Sequence, residues 1–267
     1  GEGEGVPQHA PKPKTAVPAH DSAVVRSDVI EGYLARPVSD APVPGMVLVH
    51  HAPGLDPWCM EVVRRFATEG YACVAPHLYH RRGPGHWADV AAAGRAEGLA
   101  KSMPNEQVMG DIAGAAAYLR ALPDSNGKVG VIGFCSGGRQ AFLAACDVPT
   151  LDAAVDCWGG SVLPQPATEG RPAGQGVIKR AGDMSMPLLG IFGNDDLNPD
   201  REQVDEIERV LTELGKDYTF HRYDGAGHAF FVTDKPVYRL EQALDGWQQV
   251  FQFLDRTLKG ADRCAHG

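Results

Sequence analysis

The stretch VGVIGFCSGG, residues 129–138, decides how the rest of the chain is read. An apolar run ends at Gly133, a cysteine follows two residues later, and Gly137 and Gly138 precede a helix-forming RQAFLAA. The form G-x-nucleophile-x-G between a strand and a helix is that of a sharp turn that lifts a nucleophile out of the backbone. Such a turn strains the nucleophile's own backbone, so the residues two before and two after it must be small. Gly133 and Gly137 meet that demand. At a helix N-terminus the thiol of Cys135 would also feel the positive end of the dipole, which favours thiolate. A cysteine merely packed beside glycines is the competing reading, and five residues alone do not separate the two.

Working outward, short β-type runs alternate with longer helical patterns. Strands are expected over residues 28–37, 45–51, 71–76, 128–134, 151–158, 186–193 and 218–223. Helices are expected over 61–69, 107–122, 137–145, 201–214 and 237–258. In the fourth helix Val204, Ile207, Leu211 and Leu214 share one face; in the last, Leu240, Leu244, Trp247, Phe251 and Leu254 are expected to point inward. The alternation predicts an α/β fold, a mostly parallel central sheet with helices on both faces. Residues 1–22, polar and rich in Gly and Pro, read as a flexible N-terminal arm, and 23–262 as a single domain. Two excursions, 79–105 and 161–185, break the alternation and read as functional loops.

If Cys135 is a nucleophile on this turn, an acid and then a histidine should follow in chain order. The run PLLGIFGNDDLNPD places Asp195 and Asp196 directly after a late strand. Asp195 is preferred because it comes first after the Gly193-Asn194 turn, with Asp196 as the alternative. The loop after the last strand supplies His228 in GAGHAF. An acyl-transfer site also needs two backbone N–H groups for the oxyanion. One belongs to Ser136, directly after the nucleophile. The other should come from the loop after residues 45–51, where Pro53 has no N–H and Ala52 is the expected donor.

Composition narrows the remaining classes. A formal net charge of −9 without a basic block argues against a nucleic-acid surface. No apolar run approaches the roughly 20 residues of a spanning helix, so no membrane role is expected. The six cysteines show no C-x-x-C pair and no zinc spacing, which favours reduced thiols and a cytoplasmic location. The histidine groupings, His50-His51 and His77 with His80, lack a matching ligand set, so neither metal nor cofactor is expected. A fold that has kept its shape without catalysis is the other class to weigh.

On GFCSGG, APHLYHR, GNDDLNP, GAGHAF and CWGG, the chain resembles the dienelactone hydrolase family of α/β-hydrolases, from about EGYLARP to the C-terminal helix. The resemblance implies a Cys-His-Asp triad of Cys135, His228 and Asp195 that opens lactones and cleaves esters through a thioester. It implies a small-molecule ester or lactone substrate and a monomer or homodimer. Two positions depart from the family pattern. His51 stands where members carry a glutamate near the resting cysteine, and Val232 where the best-known members carry an arginine for the substrate carboxylate. Arg81, Arg82 or Arg95 could supply that charge instead. Trp58, Tyr79, Trp87 and Trp158 are candidates for an aromatic wall, although ordinary core or loop packing is the better reading for most of them.

Overall fold

Among the described residues, eight strands form one sheet: β1 (Ala16–Pro18), β2 (Val29–Ala35), β3 (Val43–Val49), β4 (Ala72–Pro76), β5 (Ser125–Phe134), β6 (Ala153–Cys157), β7 (Leu188–Gly193) and β8 (Tyr218–Tyr223). The computed structural model describes residues 16–18, 29–82, 89–90, 92–93, 98, 100, 103–167 and 174–260. The strand order is β1-β2-β4-β3-β5-β6-β7-β8. β1 and β2 pair antiparallel with each other, and β2 with β4. Every pairing from β4 through β8 is parallel. Parallel strands are covered on both faces, which is why β3, β4 and β7 read as apolar runs, β6 is interrupted only by Asp156, and all four are buried throughout.

Among the described residues, five α-helices of eight residues or more supply that cover: α1 (Pro57–Thr68), α2 (Asn105–Arg120), α3 (Ser136–Asp147), α4 (Arg201–Glu213) and α5 (Leu240–Leu254). Successive strand residues point to opposite faces. Val47, Val49, Val129 and Val131 therefore join Ile112 and Leu119 of α2 and Phe142 of α3. Met46, Leu48, Ile132 and Phe134 join Val62 and Phe66 of α1 and Trp247 and Leu254 of α5. Because the strands run parallel, the loops leaving β3, β5 and β7 all open at one edge of the sheet, the place where α/β folds bind ligands.

Three expectations need correction. Within residues 1–22, Ala16–Pro18 is a strand paired with β2 rather than part of a free arm. Helix α1 starts at Pro57, ahead of the expected residue 61. Asp56 caps it by accepting the Cys59 N–H at 2.9 Å, and proline suits the first helical position. In α5, Leu240 and Leu244 are 57% and 61% exposed, while Ala243, Gly246, Trp247, Val250, Phe253 and Leu254 are buried. The reason is steric. A Cβ on Gly246 would come within 2.5 Å of Phe231, so the helix closes on the sheet through its small residues and turns the two leucines outward. Leu214, just past α4, is likewise 46% exposed.

Candidate active site

β5 ends at Phe134 and α3 begins at Ser136, leaving Cys135 alone at the junction with φ +56° and ψ −119°. A non-glycine residue rarely adopts this conformation, and strain of this kind gathers at functional sites. The glycines around it have no room for a side chain. A Cβ on Gly133 would lie 1.9 Å from the Gly137 carbonyl oxygen, and one on Gly137 would lie 2.2 Å from that of Val49. The Cys135 N–H donates to the Cys157 carbonyl at 3.0 Å, which ties the turn to the end of β6. Below it lies Asp156, whose carboxylate accepts the Gly159 N–H at 2.8 Å. Burial pushes the Asp156 carboxyl up to about 7, against the pull of that hydrogen bond.

His228, in the loop after β8, faces this thiol. Its Nδ1 makes a 2.8 Å hydrogen bond with Oδ2 of Asp196. Burial opposes the imidazolium, but the Asp196 carboxylate and the nearby Cys135 side chain outweigh it and raise the His228 pKa to about 10. The acid beside the histidine is Asp196, not the expected Asp195. The Asp195 N–H donates to the Ala226 carbonyl at 2.9 Å and so joins the β7 and β8 loops, with the Asp195 residue left exposed. Asp196 is buried, and its second oxygen accepts the Asn198 N–H at 2.9 Å.

Ala52, in the loop after β3, and Ser136, the first residue of α3, border the same cavity as Cys135. No hydrogen bond among the described residues uses the backbone N–H of either one. Two N–H groups without a protein partner beside a strained cysteine are available to an anionic group. Both residues line a cavity of about 500 Å3 together with Cys135 and His228. Its outer wall comes from the two excursions: Ala100, Met103 and Asn105 from the first, and Gln165 and Gly174 to Gly176 from the second.

The other expected pocket residues sit elsewhere. Trp58 packs edge-on to Phe134 at 4.9 Å, and Trp158 packs among Phe134, Phe230 and Phe231. Both are core, because rings this large gain most by full burial. Tyr79 is buried too and donates its hydroxyl to the Ala52 carbonyl at 2.9 Å. Arg81 makes two 2.8 Å bonds to the buried Asp111 of α2, so its charge is already matched. Val232 is buried. Trp87 and Arg95 lie outside the described residues. The cation that does line the cavity is Arg139, which the sequence reading passed over. Its signal was its spacing, since it stands one helical turn after Cys135 on α3.

His51 is paired with a carboxylate on its own loop. Its Nε2 lies 2.7 Å from Oδ2 of Asp56. Burial works against the charge on Asp56, but His51 and the Cys59 N–H hold its carboxyl below the ordinary range. His51, Asp56 and Cys59 bring their ligand atoms within 4.8 Å of one another, a cluster not legible in the histidine spacing. The carboxylate there is already used by His51 and the α1 cap, and burial pushes the Cys59 thiol far up, away from the thiolate a metal would need. Cys59, Cys73, Cys135, Cys146 and Cys157 are free thiols, and no described helix is long and apolar enough to cross a membrane.

The model of the dienelactone hydrolase family matches residues 30–258. A protein of Escherichia coli strain K12, provisionally named a carboxymethylenebutenolidase, is 30% identical over 258 residues, covering 93% of each chain. The carboxymethylenebutenolidase of Pseudomonas putida is 30% identical over 229 residues, 84% of this chain and 90% of its own. The crystal structure of a provisionally assigned dienelactone hydrolase from Klebsiella pneumoniae superposes with a TM-score of 0.76 at 27% identity, over 91% of this chain and 97% of its own. The chain therefore has the α/β-hydrolase fold, belongs to the dienelactone hydrolase family and is a hydrolase of that kind.

Proposed function

We propose that the protein hydrolyses carboxylic esters or lactones through a thioester on Cys135. The observation that carries this reading is that Cys135 and His228 line one cavity of about 500 Å3, with the His228 ring hydrogen-bonded behind to the buried Asp196. Asp196 fixes the imidazole with Nδ1–H toward itself, which leaves the other ring nitrogen to take the thiol proton. The sulfur attacks the ester carbonyl, and the Ala52 and Ser136 N–H groups hold the oxyanion of the tetrahedral intermediate. His228 then gives its proton to the departing alkoxide, which in a lactone stays tethered to the acyl group. Water, deprotonated by His228, attacks the thioester, and collapse of the second oxyanion frees the acid and restores the thiol.

Arg139 bears on the substrate. It reaches Oδ1 of Asn105 at 3.0 Å and the Ser161 carbonyl at 3.3 Å, and no carboxylate among the described residues pairs with it. Burial lowers its pKa from the ordinary value, yet a guanidinium stays charged. A half-buried cation without a counter-ion beside a nucleophile favours an ester or lactone that carries an anionic group. This takes the place of the charge that Arg81 spends on Asp111 and that Val232 lacks.

The test is hydrolysis of p-nitrophenyl esters with mass spectrometry of the trapped acyl adduct. Wild-type protein should hydrolyse them, lose activity on treatment with iodoacetamide and carry the acyl group on Cys135. Cys135→Ala should be slower by at least about ten-thousandfold. An adduct on another residue, or wild-type rates in Cys135→Ala, would refute the assignment.

A further inference from the structure

The loop that offers the Ala52 N–H is held by two side chains, His50 and Tyr79. The peptide joining His51 to Ala52 is one planar unit, so the direction of its carbonyl sets the opposite direction of its N–H. That carbonyl accepts two hydrogen bonds, from Nδ1 of His50 at 2.9 Å and from the Gly54 N–H at 2.9 Å. The next carbonyl, of Ala52, accepts the Tyr79 hydroxyl at 2.9 Å. The rings of His50 and Tyr79 meet edge to face, with centroids 4.8 Å apart. Two successive peptides are thus clamped by two side chains that brace each other.

His50 is an odd choice for structure alone. It is 2% exposed, and its Nε2 is buried with no hydrogen-bond partner. A buried polar atom left unpaired costs stability, and an apolar residue of similar size would avoid that cost. Its acceptor is a carbonyl, so the ring must be the Nδ1–H tautomer. Burial lowers its pKa to about 4, which keeps it neutral and in that form at neutral pH. The strand end is also pressed onto the nucleophile turn, since a Cβ on Gly137 would lie 2.7 Å from the His50 carbonyl oxygen.

We propose that His50 and Tyr79 are positioning residues that aim the Ala52 N–H at the oxyanion. This rests on the acyl-transfer reading above. Without them the His51–Ala52 peptide keeps only the Gly54 N–H bond and the next carbonyl keeps none of its clamp, so the donor is poorly aimed just when charge develops. Acylation and deacylation both pass through an oxyanion, so kcat should fall whichever step is slower, while ground-state binding changes little.

The experiment compares Tyr79→Phe, His50→Leu and His50→Asn with wild type on p-nitrophenyl acetate. It also measures the rate at which iodoacetamide alkylates Cys135, a displacement at saturated carbon that forms no oxyanion. Tyr79→Phe and His50→Leu should lower kcat about tenfold or more, with KM and the alkylation rate within about twofold of wild type. His50→Asn, whose amide can stand in for Nδ1–H, should recover most of the loss. Tyr79→Phe removes only a hydroxyl and keeps the test valid if His50→Leu does not fold. A wild-type kcat in Tyr79→Phe, or an alkylation rate that falls in step with kcat, would overturn the inference while Cys135 stays catalytic. Wild-type hydrolysis by Cys135→Ala would overturn the catalytic reading and the inference with it.

Discussion

The cavity has two walls built in different ways. The inner wall is made by the ends of parallel strands: Cys135 after β5, Asn198 after β7, His228 after β8 with Asp196 buried behind it, and the Ala52 loop after β3. Backbone sterics set its shape, down to the 1.9 Å that leaves no Cβ on Gly133. The outer wall is made by the two excursions and offers mostly amide side chains such as Asn105, Gln165 and Gln175. Arg139 bridges the two, rising from α3 one turn beyond the nucleophile to reach Asn105 and Ser161. A wall held by backbone has one geometry to offer. A wall of side chains can be exchanged without disturbing the fold, and this is how one fold serves many substrates.

The sharpest way to break this comparison lies on the inner wall, with two neighbouring carboxylates. Asp196→Asn should lower kcat about 10³- to 10⁴-fold, because the wrong tautomer of His228 is then favoured. Asp195→Asn, with its backbone bond to Ala226 intact, should stay within about twofold. The His228 pKa should also fall in Asp196→Asn, since burial then meets less opposition, and NMR titration of the imidazole would show the transition at lower pH. Equal losses in both variants would return the acid to Asp195.

Gly133→Ala tests whether the inner wall is steric. It should cost about 3 kcal/mol of folding stability or prevent folding, as measured by urea unfolding, because the added carbon meets backbone that has nowhere to move. At the bridge, Arg139→Gln should reduce the preference for a half-ester bearing a carboxylate over its neutral methyl ester. About tenfold in kcat/KM is expected from the loss of one charge-assisted contact. An unchanged ratio would remove the anionic-substrate reading. On the outer wall, Gln165→Ala and Gln175→Ala should alter KM only about two- to threefold and leave unfolding midpoints in place. A large loss of stability there would show that the excursions are part of the scaffold.

Local rules carried the reading a long way where the chain itself supplies the constraint. Glycines two before and two after Cys135, an apolar run ahead of it and a helix behind it leave few backbone paths, and the nucleophile turn was legible from them. They carried less where two neighbours look alike. Asp195 and Asp196 differ by one position in a turn, and only the Ala226 carbonyl across the loop shows which carboxylate turns inward. The aromatic residues misled for a related reason. Sequence places Trp58, Tyr79 and Trp158 near the strand ends but does not say which side of the sheet edge they fall on.

What the sequence determined by itself was the alternation of strand and helix, the turn at Cys135 and the order of acid and base. Each depends on residues close in the chain, whose spacing and size act through local sterics and burial. Only the tertiary structure decided that Asp196 pairs with His228, that Arg81 is spent on Asp111 while Arg139 faces the cavity, and that Leu240 and Leu244 face away from the core. Each of those outcomes depends on a partner distant in sequence, a carbonyl, a carboxylate or a ring, and its position is set when the sheet closes.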